Sequence, residues 1–174
     1  MYLPAFIANN LFFIIPAYLT TFFLFFGVLL VKVLSKRIAW LKPFLFPIDC
    51  NASFQGKRLI GDHKIAAGWV MPLVASLLSF WMAGNFALMF LISYFCFFGD
   101  LAGSFLKRRL DLEEHEPLLV VDQLSFFLGG YVAAYALGSR IPGNELLLLA
   151  LLTFVVHFSG NIILSKLKMK NMPY

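Results

Sequence analysis

Two aspartates stand inside apolar runs of this chain. Asp100 closes the stretch Leu88-Met-Phe-Leu-Ile-Ser-Tyr-Phe-Cys-Phe-Phe-Gly-Asp100, and Asp122 follows Leu118-Leu-Val-Val. A carboxylate at the inner end of an apolar segment costs a few kcal/mol on insertion scales, so a chain that keeps one has a cationic partner for it. Between the two acids runs Ser104-Phe-Leu-Lys107-Arg108-Arg109. On a helix, residues i, i+4, i+7 and i+8 share a face, so Asp100, Ser104, Lys107 and Arg108 form one polar stripe. Two turns rise about 10.5 Å, which takes that stripe from the acyl boundary to the headgroups. Acids deep and cations shallow suit a divalent ion with phosphate oxygens beside it. The plainer alternatives are a snorkelling basic anchor with an acid salt-bridged inside a bundle, and, for Asp122, a carboxylate stabilising a helix N-terminus.

A second polar cluster lies upstream: Pro47-Ile-Asp49-Cys-Asn51-Ala-Ser-Phe-Gln-Gly56-Lys57-Arg58-Leu-Ile-Gly61-Asp62-His63-Lys64. Glycines let backbone amides approach an anion, and Lys57, Arg58 and Lys64 supply charge. The Gly-x4-Gly-Lys-Ser/Thr loop of a P-loop nucleotide site is absent. A solvated loop near the membrane is the competing reading. His63 adjoins this loop and is a candidate phosphate contact, His115 sits among glutamates, and His157 with Asn161 reads as an interhelical hydrogen-bonding pair. No Ser/His/Asp or Cys/His pairing points to a covalent mechanism.

These residues need elements to hold them, and composition says which kind. The 174 residues are 61% hydrophobic and 13% charged, with a mean hydropathy of +0.84. That is an all-α integral membrane protein rather than a soluble domain. A span needs about 20 apolar residues. Five stretches qualify: Leu11–Leu34, Ile65–Ala83, Phe86–Leu106, Leu118–Leu137 and Leu146–Leu164. They form a single transmembrane domain over residues 1–174, with one polar loop at residues 35–64 and another at residues 107–117. Gly84-Asn85 and Gly138–Glu145 are turns. The sequence predicts no signal peptide, because a basic n-region and small-residue cleavage site are lacking. With five spans, 13 of the 14 basic residues fall on one side and only Arg140 opposite. The positive-inside rule makes that side cytoplasmic, with the N-terminus outside and the C-terminus inside. The net charge of +5 therefore suits anionic lipid and phosphate, not nucleic acid. Cys50 and Cys96 form no framework and read as reduced thiols.

Taken together, Gly99-Asp100-x3-Ser104-x2-Lys107-Arg108 followed by Asp122-Gln123-Leu124 resembles the signature of CTP-dependent lipid cytidylyltransferases. It is most similar to the CDP-archaeol synthase family, which is akin to CDP-diacylglycerol synthase. Upstream, Pro47-Ile-Asp49, Gly56-Lys57-Arg58, Gly61-Asp62-x-Lys64 and Gly68 resemble that family's first cytoplasmic loop. The resemblance implies five spans, a possible homodimer, and transfer of a cytidylyl group from CTP to a lipid phosphate with Mg²⁺. It implies Asp100, Asp122, Lys107 and Arg108 as catalytic residues, with Asp100 and Asp122 as metal ligands. Asp49, Asn51, Gly56, Lys57, Arg58, Gly61, Asp62, Lys64, Ser104 and Gln123 are the implied substrate contacts. Three departures stand out. Lys64-Ile-Ala-Ala-Gly68 replaces a Lys-Thr-x-Arg-Gly pattern, Glu113-Glu-His-Glu116 replaces an Arg-Gly-type turn after the basic cluster, and Ser125 takes the place of an acid after Asp122-Gln-Leu. Other functions open to the same residues are a CTP-dependent polyprenol kinase, a small transporter with Asp100 and Asp122 on an ion path, and a non-catalytic assembly protein.

Overall fold

The computed structural model describes residues 3–112, 116 and 118–166. The chain opens with one long rod: helix α1 (Leu3–Phe22), a π-helical turn (Phe23–Gly27) and α2 (Val28–Leu34). Pro16 lies within α1, and Thr20 Oγ1 donates to its carbonyl at 2.7 Å. A connection then carries a 3₁₀ turn (Ala39–Leu45), a hairpin of β1 (Ser53–Phe54) and β2 (Lys57–Arg58), and a second 3₁₀ turn (Ala66–Trp69). Helices α3 (Met71–Ala83), α4 (Phe86–Arg109), α5 (Leu119–Ala136) and α6 (Gly143–Lys166) complete the bundle.

The first polar loop is closed at its base. Pro47 and Ile65 form an antiparallel bridge, with Ile48 N donating to Lys64 O at 2.8 Å and Ala66 N to Phe46 O at 2.7 Å. The hairpin pairs Ser53 with Arg58 and Phe54 with Lys57. Its two-residue turn has positive φ at both Gln55 (53°) and Gly56 (75°), the turn geometry that matches strand twist and favours glycine.

The polarity of the bundle is inverted relative to a soluble domain. Asn10, Thr20, Ser76, Ser79, Ser93, Gln123 and Thr153 are buried, while Trp81, Leu147, Val132 and Val155 stand exposed. The chain is a multi-pass membrane protein, with apolar side chains turned to lipid. Among the described residues, three stretches are long and apolar enough to cross a bilayer: Ala8–Leu34, Phe86–Arg109 and Gly143–Lys166. The expected second span over Ile65–Ala83 is shorter as a helix. Its first residues are drawn into the loop bridge and a 3₁₀ turn, which leaves the 13 residues of α3, or about 20 Å of rise. The first span extends back beyond Leu11 to Leu3 as a helix.

Helices α4 and α5 approach most closely. A Cβ on Gly99 would lie 2.2 Å from Ser125 O, and one on Gly129 would lie 2.1 Å from Phe95 O. Only hydrogen fits between these backbones, the small-residue contact that membrane helices use when apolar burial no longer drives association. Edge-on Phe13 and Phe127, 5.3 Å apart, lead the core beside this contact. Cys96 is buried in that core and Cys50 lies exposed in the loop, both as free thiols. On the same side α1 is tied to α6: Asn10 Nδ2 donates to Glu145 Oε2 at 2.7 Å, and the Tyr18 and Thr153 hydroxyls are 2.8 Å apart.

Gly129→Leu is expected to separate α4 from α5, whereas Gly143→Ala, with open space around it, is expected to be silent. Thermal unfolding in detergent checks this: the first variant should lose the cooperative transition or several kcal/mol of stability, a cost typical of overpacking against fixed backbone.

Candidate functional site

The stripe predicted on α4 exists. Asp100, Ser104, Lys107 and Arg108 all line one cavity of about 700 Å³ at the end of the bundle where the polar loop folds over. Asp122 and Ser125 of α5 line it too, as do His63 and Lys64 of the loop. The opposite wall is mostly apolar, built from the end of α1, the π turn and α2, together with Val156 and Leu164 of α6. Residues of α1, α2 and α6 thus face those of α4, α5 and the loop across one cavity.

Both acids carry a lysine. Lys64 Nζ donates to Asp100 Oδ2, and Lys107 Nζ donates to Asp122 Oδ2 at 3.0 Å. Asp122 Oδ2 also accepts from Leu118 N at 3.0 Å, so this carboxylate caps the first turn of α5 as well as facing the cavity. The contacts of both plain sequence alternatives are present: each acid has a lysine partner, and Asp122 accepts at the start of α5. The lysines neutralise two acids that would otherwise be expensive at this depth. Ser104 Oγ donates back to Asp100 O at 3.1 Å, an intrahelical bond that leaves its oxygen free to accept.

Arg108 differs from the other cations that line the cavity. Its Nε is buried and has no hydrogen-bond partner among the described residues, yet the side chain lines the cavity. A guanidinium that lines a cavity with a buried donor unused among the described residues suits an anion with oxygens to share.

The loop residues divide sharply. Asp49 is 7% exposed and is the knot of the loop. Its carboxylate accepts from Arg58 Nη2 at 2.7 Å and Nε at 3.3 Å, and from the backbone amides of Asn51, Ile60 and Gly61 at 3.1–3.2 Å. Burial pushes its pKa up, but the Arg58 bond and the three amides outweigh that and hold the carboxyl at about 2. Arg58 Nη1 reaches on to Asp62 at 2.8 Å, and its own pKa is raised, chiefly by Asp49. Lys57 pairs with Asp111. Of the eight loop candidates only Lys64 lines the cavity. Asp49, Asn51, Gly56, Lys57, Arg58, Gly61 and Asp62 shape or surround the loop that delivers it. Gln123 is fully buried off the cavity, and neither amide atom finds a partner among the described residues.

Sequence reasoning overlooked Arg109. Its guanidinium donates to Phe54 O at 2.6 Å, Arg58 O at 2.7 Å and Lys57 O at 3.2 Å, and lies over the Phe54 and Phe105 rings. It clamps the hairpin to the end of α4. The rotation of about 100° per residue separates Arg109 from Arg108, and that was the available signal. Lys32, Ser125, His157 and Asn161 also line the cavity without having been placed in the site. His115 lies outside the described residues.

The donor set fits a hard divalent ion in part. Asp100 and Asp122 line one cavity, and each uses only Oδ2 in its lysine pair. Mg²⁺ takes one or two carboxylates and fills its other positions with water and phosphate oxygens. No group of three or more His, Cys, Asp or Glu is found among the described residues. Ser125 Oγ lies 2.8 Å from where a Gly103 Cβ would stand, so this position is a tight helix contact.

A model of the CarS-like family, described as CDP-archaeol synthase, matches residues 74–174. Three curated relatives are named CDP-archaeol synthase. The protein of Methanopyrus kandleri is 34% identical over 82% of this chain and 90% of its own. That of Thermofilum pendens is 31% identical over 98% of this chain and 83% of its own. That of Pyrococcus abyssi is 33% identical over 74% and 83%. A solved structure described as an intramembrane enzyme for archaeal membrane lipids biosynthesis is 29% identical, superposes with a TM-score of 0.61, and covers 78% of this chain and 90% of its own.

The depressed carboxyl of Asp49 sets a pH window. Its ionised form stabilises the loop fully above 3.8, the ordinary value, and that contribution is lost as pH falls towards about 2. Cleavage of the loop by an acid protease should therefore rise between pH 4 and pH 2 in the wild type. Asp49→Asn should already be cleaved readily at pH 4.

Proposed function

The chain belongs to the CDP-archaeol synthase family, and from that premise we propose that it transfers a cytidylyl group from CTP to an archaeal-type lipid phosphate, releasing pyrophosphate. The observation that carries this reading is the two-sided cavity: cations and acids on α4, α5 and the loop face a largely apolar wall from α1, the π turn, α2 and α6. Few chemistries need both at once. A water-soluble triphosphate and a membrane-held phosphate do.

A lipid phosphate monoester is already a nucleophile, so the protein needs no general base. One of its oxygens attacks the α-phosphorus of CTP, a new P–O bond forms, and the bond to the β-phosphate breaks. Alignment and charge neutralisation supply the rate. Arg108, with an unused buried Nε, is the leading phosphate contact. Lys64 and Lys107 are the next, once substrate oxygens compete with Asp100 and Asp122 for their ammonium groups. Asp100 and Asp122 would hold Mg²⁺, which when bound neutralises the triphosphate and steadies the leaving group. The loop, tied down by Asp49 and Arg109, keeps Lys64 over the cavity. The chains of the lipid leave between α2 and α6. Five spans, the N-terminus outside and the site at the cytoplasmic face complete the reading, on the strength of the one-sided basic residues.

Purified protein given labelled CTP, Mg²⁺ and a dialkylglycerol phosphate should yield CDP-lipid and pyrophosphate. Formation of CDP and a phosphorylated lipid from a prenol would instead favour the kinase reading. Asp100→Asn should fold yet turn over at least about 10²-fold slower, the scale of losing a preorganised electrostatic contact, and near-normal turnover would sink the metal role. Arg108→Ala should raise the KM for CTP about tenfold or more, in line with a lost charge-assisted bond.

A further inference from the structure

One surface of the connection after α2 takes no part in lining the cavity. The rod of α1 and α2 holds the 27-residue apolar stretch Ala8–Leu34. At 1.5 Å per residue that is about 40 Å, more than the roughly 30 Å hydrocarbon core. The chain beyond Leu34 therefore starts at headgroup level. It reads Lys36-Arg37-Ile-Ala-Trp40-Leu41-Lys42-Pro43-Phe44-Leu45-Phe46 and includes the first 3₁₀ turn. Residues three apart are eclipsed in such a turn, so this strap has separate ridges. Leu41 is buried, and Phe44 and Leu45 pack against Ile65, Ala67 and Met71. Trp40 and Phe46 belong to a different ridge and are 70% and 51% exposed. Lys36, Arg37 and Lys42 are exposed beside them, and none of the three makes an ion pair among the described residues.

We infer that residues 36–46 form a strap that lies on the bilayer, binds anionic lipid headgroups, and so steadies the polar loop from outside. Exposed aromatic rings at headgroup level sit where membrane proteins place their interfacial anchors. Three unpaired cations beside them complement lipid phosphates on an anionic surface. Apolar insertion and charge attraction add, which makes a stable contact from two weak ones. The occupant is lipid, because the strap is continuous with a span and leaves it at the membrane surface. Backbone bonds join the strap to the site. Phe46 O accepts from Ala66 N at 2.7 Å, and the adjoining Pro47 pairs with Ile65. Lys64, whose ammonium meets Asp100 in the cavity, directly precedes that bridge. Lipid held by the strap therefore bears on the same loop that Asp49 and Arg109 tie from within. This contact is independent of which reaction the cavity performs.

The test uses the full chain in nanodiscs, with Trp69→Phe and Trp81→Phe leaving Trp40 as its one tryptophan. Lipids brominated near the headgroup quench a tryptophan that they touch. Brominated anionic lipid should quench Trp40 with an apparent affinity about fivefold above that of brominated zwitterionic lipid, the worth of one surface charge. Lys36→Gln, Arg37→Gln and Lys42→Gln together should bring that ratio to about one. Arg140→Gln, at the far end of the bundle, should leave it unchanged. Equal quenching by both lipids, quenching by neither, or an equal effect of Arg140→Gln would overturn the lipid contact. The second measurement keeps all three tryptophans. Hydrogen exchange over residues 47–66 should be about fivefold slower in anionic than in neutral nanodiscs, and the triple glutamine variant should show no difference. The same exchange rate in both lipids, or a slowing that the triple variant retains, would overturn the link between strap and loop.

Discussion

The backbone contact between α4 and α5 is the constraint on which everything else rests. Gly99 sits against Ser125 O and Gly129 against Phe95 O at distances that exclude any side chain. That contact sets the register of two antiparallel helices, and register decides which polar residues meet. With it, Lys107 of α4 reaches Asp122 of α5, and Asp100 comes to the same cavity wall. A shift of one residue would turn each stripe by about 100° and scatter the acids. The glycines are thus part of the site although they touch no ligand.

Charge is placed economically around this contact. Asp100 and Asp122 are each neutralised by a lysine, Asp49 by Arg58 and three amides, and Lys57 by Asp111. In a low-dielectric setting an unpaired ion costs more than a pair gains, so these partners keep the resting protein tolerable. Arg108 alone among the cavity cations has an unused buried donor. The contrast separates the groups that hold the structure from the one left ready for an anion. It also explains why the loop can be both polar and ordered. Its hydrogen bonds close on Asp49 and Arg109 from within, as buried polar groups must.

Much of the site was legible because helical periodicity is a short-range property. The spacing of Asp100, Ser104, Lys107 and Arg108 predicted a shared face, and all four line one cavity. The apolar runs predicted a membrane bundle. Other features depended on partners far along the chain. Asp49, an implied substrate contact, is the knot of the loop in the structure, because Arg58 and the amides that satisfy it are brought back by the Pro47–Ile65 bridge. Arg109 looked like its neighbour Arg108 and serves the hairpin instead. The second apolar stretch looked like a whole span, yet its first residues are spent on that same bridge.

What the sequence determined by itself is the solvent and the local chemistry. Composition demands lipid, and the spacing of acids and bases on α4 demands a polar stripe at the end of a span. Both follow from properties of single segments: transfer free energy and the 3.6-residue turn. Only the tertiary structure decided that the stripe faces a largely apolar wall from α1, α2 and α6, and that His157 stacks on Phe126. Those facts come from packing between separate helices, where no periodicity within one helix carries information about the other.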